Sequence, residues 1–175
     1  SDNADLRCVV IRGAGDKAFS AGADISEFPI VHATAESAGA YHDKIRTAYD
    51  AIANLNKPTI AMINGPAVGS GMDMALHCDI RIGCEKTRFV GYQQAGQIIE
   101  NGGSYYLPRM VGLGRALEFA YTGHLDAQRA YDWGILNHLV DADRLEETTR
   151  DLCARMMNIP PLVQWNSKRI MRAAM

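Results

Sequence analysis

Thr59-Ile60-Ala61-Met62-Ile63, followed by Asn64-Gly65-Pro66-Ala67-Val68-Gly69-Ser70-Gly71-Met72-Asp73, decides the fold class. The first five residues form a nearly continuous apolar run, as expected of a strand in a sheet covered on both faces. The next eight are rich in Gly and Pro and read as a sharp turn. Met72 to His77 reads as the helix that this turn launches, and Cys78 to Cys84 alternates like a second strand. Upstream, Arg7 to Arg12 is a β-branched strand closed by Gly13-Ala14-Gly15-Asp16. Between them, Tyr41, Ile45, Tyr49, Ile52 and Leu55 trace one face of a helix over Glu36 to Leu55. Pro58 stops it, because the residue before a proline avoids the α region. Downstream, Asn101 to Ala120 is broken by Pro108, Gly112 and Gly114 into two short helices. Asp126 to Trp133 reads as a capped helix, Ile135 to Val140 as a strand, and Arg144 to Met157 and Leu162 to Ala174 as amphipathic helices. Strands alternating with helices imply an α/β fold with a largely parallel sheet.

The chain has 175 residues, about one domain's worth. Its 47% hydrophobic and 22% charged residues are those of an ordinary globule. Eighteen Lys and Arg against 20 Asp and Glu give a net charge of −2. That argues against nucleic acid as a partner, because such affinity is built from clustered cations. No apolar run approaches the length of a membrane span. Ser1 to Asp5 is acidic and polar, unlike a signal or transit peptide, so a cytoplasmic location is expected. Cys8, Cys78, Cys84 and Cys153 show no C-x-x-C spacing, and no His cluster completes a metal site. Reduced thiols and no metal are the expectation.

Two loops of small residues stand out: Phe19-Ser20-Ala21-Gly22-Ala23-Asp24 and the Asn64–Asp73 turn. Without bulky side chains, a substrate oxygen can approach the main chain closely. A helix N-terminus adds unsatisfied N–H donors and a dipole that favours developing negative charge. Two converging N–H groups make an oxyanion hole; two tight turns with no ligand are the plainer alternative. Other motifs fail. There is no G-x-G-x-x-G, Walker A loop or H-E-x-x-H, and Val68 and Met72 deny Ser70 a nucleophile-elbow frame.

FSAGAD and NGPAVGSGMDMALHCDIRIG, with NGGSYYLPRMVGLGRALEFAYTG and LDAQRAYDWGILNHLV, together resemble the enoyl-CoA hydratase/isomerase (crotonase) superfamily, in order over nearly the whole chain. The resemblance implies a ClpP/crotonase-type α/β fold of repeated ββα units with a helical C-terminal part, shortened at both ends. It implies a core domain over residues 1–120 and a helical region over 121–175 that serves trimerisation and CoA contact. The implied function is an acyl-CoA thioester enzyme that stabilises an enolate, most simply an enoyl-CoA hydratase or isomerase. Decarboxylation, C–C hydrolysis and a non-catalytic CoA-binding subunit are the alternatives. The resemblance implies no cofactor beyond the CoA of the substrate, and assembly as a homotrimer or a dimer of trimers.

The same resemblance assigns the oxyanion donors to the backbone N–H groups of Ala21 and Ser70. Ala23, Asp24 and Ile25 fall where the family's loop passes CoA; Gly69 is a further expected substrate contact, and Tyr92 orients a substrate or a water, or else simply packs. Asp73 takes the place of a hydratase carboxylate; its plain reading is an acid complementing a helix dipole. The second hydratase carboxylate has no counterpart, since Val90-Gly91-Tyr92-Gln93-Gln94 contains no acid. Glu100 stands where isomerase and dehalogenase branches place a working carboxylate, or else serves as an N-terminal acid beside Asn101. Burial near Ile98, Ile99 and Tyr105 is expected to raise the pKa of Glu100. His77 reads as a C-terminal helix cation favoured by the dipole. His32, His42, His124 and His138 have no catalytic spacing. Lys168 and Arg169 lie on the last helix, where the family contacts CoA phosphate, or form a solvated face.

Overall fold

A computed structural model describes residue 3, residues 5–93 and residues 96–175. Among the described residues, seven strands form two sheets. β1 (Val9–Arg12), β2 (Thr59–Ile63), β4 (Ile80–Cys84) and β7 (His138–Val140) make an all-parallel sheet in the order β1-β2-β4-β7. β3 (Pro66–Val68), β5 (Arg88–Val90) and β6 (His124–Asp126) make a smaller one, with β3 parallel and β6 antiparallel to β5. The unit β2–β3 followed by α3 (Ser70–His77) repeats as β4–β5 followed by α4 (Gly103–Val111). Each repeat contributes one strand to each sheet, which is the ββα pattern expected.

All five residues of β2 are buried, as its unbroken apolar run requires. One apolar cluster joins Ile63, Phe89, Phe119, Leu125 and Leu136 to Met72, Ala75 and Leu76 of α3. A second gathers Ile60, Met62 and Ile82 on the other side of the first sheet under Leu145 of α7 (Leu145–Met157). Each fully buried Leu, Ile or Phe contributes about 1.5–3 kcal/mol.

The long helix α2 runs over Ala35–Ala53, after a short α1 (Phe28–Val31) that had no signal in the sequence. Thr34 and Ser37 form a capping box, each hydroxyl accepting the other's N–H at 3.1 Å. The expected turn over 64–71 contains β3, too short at three residues to carry an alternation signal. Of the three breakers expected between 101 and 120, Gly112 alone divides the helices. Its φ of 81° favours glycine. Pro108 is accommodated inside α4, and Gly114 inside α5 (Leu113–Thr122). Residues beyond 120 are continuous with the sheets through β6 and β7, with α6 (Ala127–Asp132) between them. α8 (Pro161–Ala173) buries no residue fully and shows Leu162, Ile170 and Met171 to solvent. Among the described residues no helix is long and apolar enough to cross a membrane, no Cys is in a disulfide, and no group of three acidic, His or Cys side chains could hold a metal ion.

Candidate active site

The two small-residue loops meet. Ser20 bridges Ala67 in parallel, and the N–H of Val68 donates to the Ser20 carbonyl at 2.9 Å. The loops come so close that a Cβ on Gly22 would stand 2.7 Å from the Val68 carbonyl oxygen and 3.7 Å from the Ser70 nitrogen. A Cβ on Gly71 would stand 2.5 Å from the Cβ of Ser20. Ala21 and Ser70 are thereby brought to neighbouring positions. Their N–H groups have no acceptor among the described residues. Ser70 is the first residue of α3, where the unpaired donors of a helix converge. Tyr49 of α2 anchors that end by donating its hydroxyl to the Ser70 carbonyl at 2.6 Å.

Gly69, with φ of 52°, turns the chain from β3 into α3, and its N–H donates to the Val90 carbonyl at 2.7 Å. The Tyr92 ring occupies the space that a Cβ at Gly69 would need. Burial, then the nearby Asp73, raises the pKa of the Tyr92 hydroxyl and keeps it protonated. A narrow cleft of about 20 Å³ is lined by Ser70, Tyr92, Ala23, Glu100, Tyr41 and His42, among others. It is roomy enough for about one water.

Asp73 lies behind this cleft in the first turn of α3, only 1% exposed. Among the described residues neither carboxyl oxygen has a hydrogen-bond partner. The nearby Gly103 N–H draws its pKa down a little, but that N–H is committed to the Glu100 carbonyl at 3.0 Å. Desolvation first, and the Glu100 charge second, push Asp73 up to about 8. It is therefore far more than a dipole-complementing surface acid. Glu100 keeps 29% of its side chain exposed, and its Oε2 lies 3.9 Å from Nδ1 of His42. The expected burial of Glu100 does not arise, because Ile98 turns outward at 74% exposed and Tyr105 at 41%.

His77 differs from its expected role. It is buried at the end of α3, stacked on Tyr49 at 4.8 Å and edge-on to Tyr106 at 4.9 Å. Burial lowers its pKa. Its Nδ1 lies 2.7 Å from the Asp73 carbonyl, which can only accept, so Nδ1 carries the proton of a neutral ring. Lys168 also departs from expectation. Its Nζ pairs with Asp79 at 2.8 Å and its side chain is 10% exposed, so it docks α8 rather than waiting for a phosphate. Arg172 joins the same carboxylate at 2.8 Å. Among the described residues Arg169 reaches Asn166 of its own helix alone, at 3.4 Å.

Asp24 and Ile25 are exposed. The Asp24 carboxylate caps a one-turn 3-10 helix (Ile25–Glu27), accepting from the Ser26 N–H at 2.9 Å and from its hydroxyl at 2.7 Å. The sequence reading missed Tyr41 and Tyr49 as site residues, although both lie on the helical face it traced. It set His42 aside, and no spacing rule could have recovered it. Only the packing of α2 against residues 97–101 brings it to Glu100.

All of residues 1–175 match the profile of the family described as Enoyl-CoA hydratase/isomerase. The 4-chlorobenzoyl coenzyme A dehalogenase-1 of Arthrobacter sp is 35% identical over 167 residues, which are 89% of this chain and 59% of that protein. The crotonyl-CoA hydratase of Syntrophomonas wolfei is 33% identical over 90% of this chain and 61% of its own length. The crystal structure of an enoyl-CoA hydratase from Bacillus anthracis superposes with a TM-score of 0.91 at 34% identity, covering 98% of this chain and 66% of that one. The chain thus spans about three fifths of the length of these curated relatives, and over that span it has the crotonase fold.

Proposed function

The chain belongs to the enoyl-CoA hydratase/isomerase family, and from that premise we propose that it forms the enolate of an acyl-CoA thioester. The reading is supported by one observation: the N–H groups of Ala21 and Ser70, on two loops in contact, have no acceptor among the described residues, and α3, which Ser70 opens, carries the buried Asp73. The thioester oxygen would accept from both donors. Each such donor is typically worth about 3–4 kcal/mol as charge develops on that oxygen.

Asp73 and Glu100 divide the proton work. Asp73, with a pKa near 8, holds a proton at neutral pH and serves as the donor. Glu100, more open to water, serves as the base of the cleft. For isomerisation, Glu100 takes an α- or γ-proton while the electron pair moves to the thioester oxygen, and a proton then returns to the other carbon. For hydration, Glu100 deprotonates a water that attacks the β-carbon, and a proton reaches the α-carbon from Asp73. Ala23, Gly69 and Tyr92 shape the acyl path, while Asp24 and Ile25 lie on the outer edge where CoA would pass. No group beyond the CoA of the substrate is needed, because backbone donors polarise the carbonyl. A homotrimer, or a dimer of trimers, would cover the apolar side chains of α8, and a cytoplasmic site of action suits a CoA thioester.

Mass spectrometry of crotonyl-CoA incubated with the protein in D₂O tests the reading. Addition of one water establishes hydration. Deuterium without water establishes enolate formation alone. With neither outcome for crotonyl-CoA, and no chloride released from 4-chlorobenzoyl-CoA, the reading falls.

A further inference from the structure

We propose that His42 positions Glu100 and passes its proton to solvent. The inference rests on Glu100 being the base of the acyl-CoA site. Nδ1 of His42 stands 3.9 Å from Oε2 of Glu100. That distance is too long for a direct hydrogen bond and within reach of one bridging water. The cleft they line has room for about one water. His42 is itself 39% exposed, so its ring has one side in the cleft and the other toward solvent.

The ring does not swing freely. Tyr41 packs against it at 5.8 Å and His32 of the α1 turn at 5.9 Å. His32 is held by Phe28 at 5.0 Å and by Tyr41 at 5.7 Å. The other charged groups near this wall are engaged or act elsewhere. Asp43 of α2 pairs with Arg46 at 2.9 Å, and Asp24 accepts from Ser26. Glu27, Glu100 and Asp24 all act on the Tyr41 hydroxyl. Of these carboxylates, Glu100 is the one found 3.9 Å from a His42 ring nitrogen among the described residues.

The proton route balances. The substrate C–H bond breaks, its electron pair moves to the thioester oxygen, and the proton forms an O–H bond on Glu100. That proton passes to a ring nitrogen of His42 as the Glu100 O–H bond breaks, and the ring releases a proton to water. An enzyme with this route exchanges substrate protons with solvent; a sealed base returns the proton it took.

The test uses butyryl-CoA, which has α-protons and no double bond to hydrate. Deuterium entry at the α-carbon in D₂O is followed for the wild type and for His42→Gln. The expected result is exchange slowed about tenfold or more with butyryl-CoA affinity within about twofold, and recovery on adding imidazole. Unchanged exchange in His42→Gln, or loss that follows affinity and resists imidazole, overturns the proposal. A second measurement needs no activity. In NMR spectra of labelled histidine the His42 ring signals should move on Glu100→Gln, and unmoved signals overturn the pairing. A wild type that exchanges no α-protons overturns the function reading instead, and with it the proton route, while the NMR comparison still decides the pairing.

Discussion

The ring of Tyr92 lies directly against the backbone of Gly69, in the volume that a side chain at that position would fill. The contact joins the strand-to-helix turn at Gly69 to the residue two places beyond β5. Gly69 also has φ of 52° and ψ of −117°, a conformation closed to L side chains in practice. Gly69→Ala is expected to destabilise by more than about 2 kcal/mol, combining backbone strain with displacement of Tyr92. Adding Tyr92→Ala should recover the steric part and leave the strain. Urea denaturation of the two variants separates these contributions.

Asp73 makes stability depend on pH. Its pKa is raised in the fold from the ordinary 3.8 to about 8. Between those values the native protein holds a proton that the unfolded chain has released. Stability is therefore greatest below the unfolded value and is lost as pH rises toward the folded one, by up to about 1.4 kcal/mol per unit. Asp73→Asn should flatten this slope, and the variant should be the more stable protein at pH 8. Thermal unfolding from pH 5 to 8 measures it. A wild-type curve as flat as the variant's would show that Asp73 is not held protonated.

Glu100 supplies part of the shift at Asp73 by like-charge repulsion. Glu100→Gln should lower the Asp73 pKa, moving the alkaline limb of the pH–rate profile to lower pH. The same change removes the proposed base and should cut turnover by about 100-fold or more. A full pH–rate profile reads both effects. Loss of rate with no movement of the limb would mean that the two carboxylates are not coupled.

Asp79 ties the last helix to the body of the fold. Its carboxylate pairs with Lys168 and Arg172 and accepts from the Thr59 N–H at 2.8 Å. The side chain is 21% exposed, so its removal should cost between the ~1 kcal/mol of a surface pair and the ~3–5 kcal/mol of a buried one. Asp79→Ala should first loosen α8, seen as faster amide exchange over residues 161–173 than over β2.

Much of the fold was legible because local rules carried it. The run Thr59–Ile63 announces a strand buried on both faces, and it is one residue for residue. The helix capped by Asp126 and the amphipathic helix from Leu145 follow from an N-terminal acid and from apolar spacing. Two features escaped because their causes are not local. β3 is a strand only because β5 lies beside it. Pro108 stays inside α4, which packs against α3 and α5, despite a usual interior cost of about 3 kcal/mol.

The site divides in the same way. The amino-acid sequence by itself determined the parts built from backbone: glycines at 22, 69 and 71 are demanded by the turn chemistry and by the loop approach they permit. It also determined which acids are available, Asp73 and Glu100. Only the tertiary structure decided what those acids are. Asp73 is raised because α3 buries it with no partner, while Glu100 stays partly open because Ile98 turns outward. It also turned His77 into a neutral core ring and Lys168 into a helix anchor, and it set His42 beside Glu100. Desolvation and charge proximity act through space, and residues 58 positions apart in the chain, as 42 and 100 are, become neighbours only when helix and loop pack.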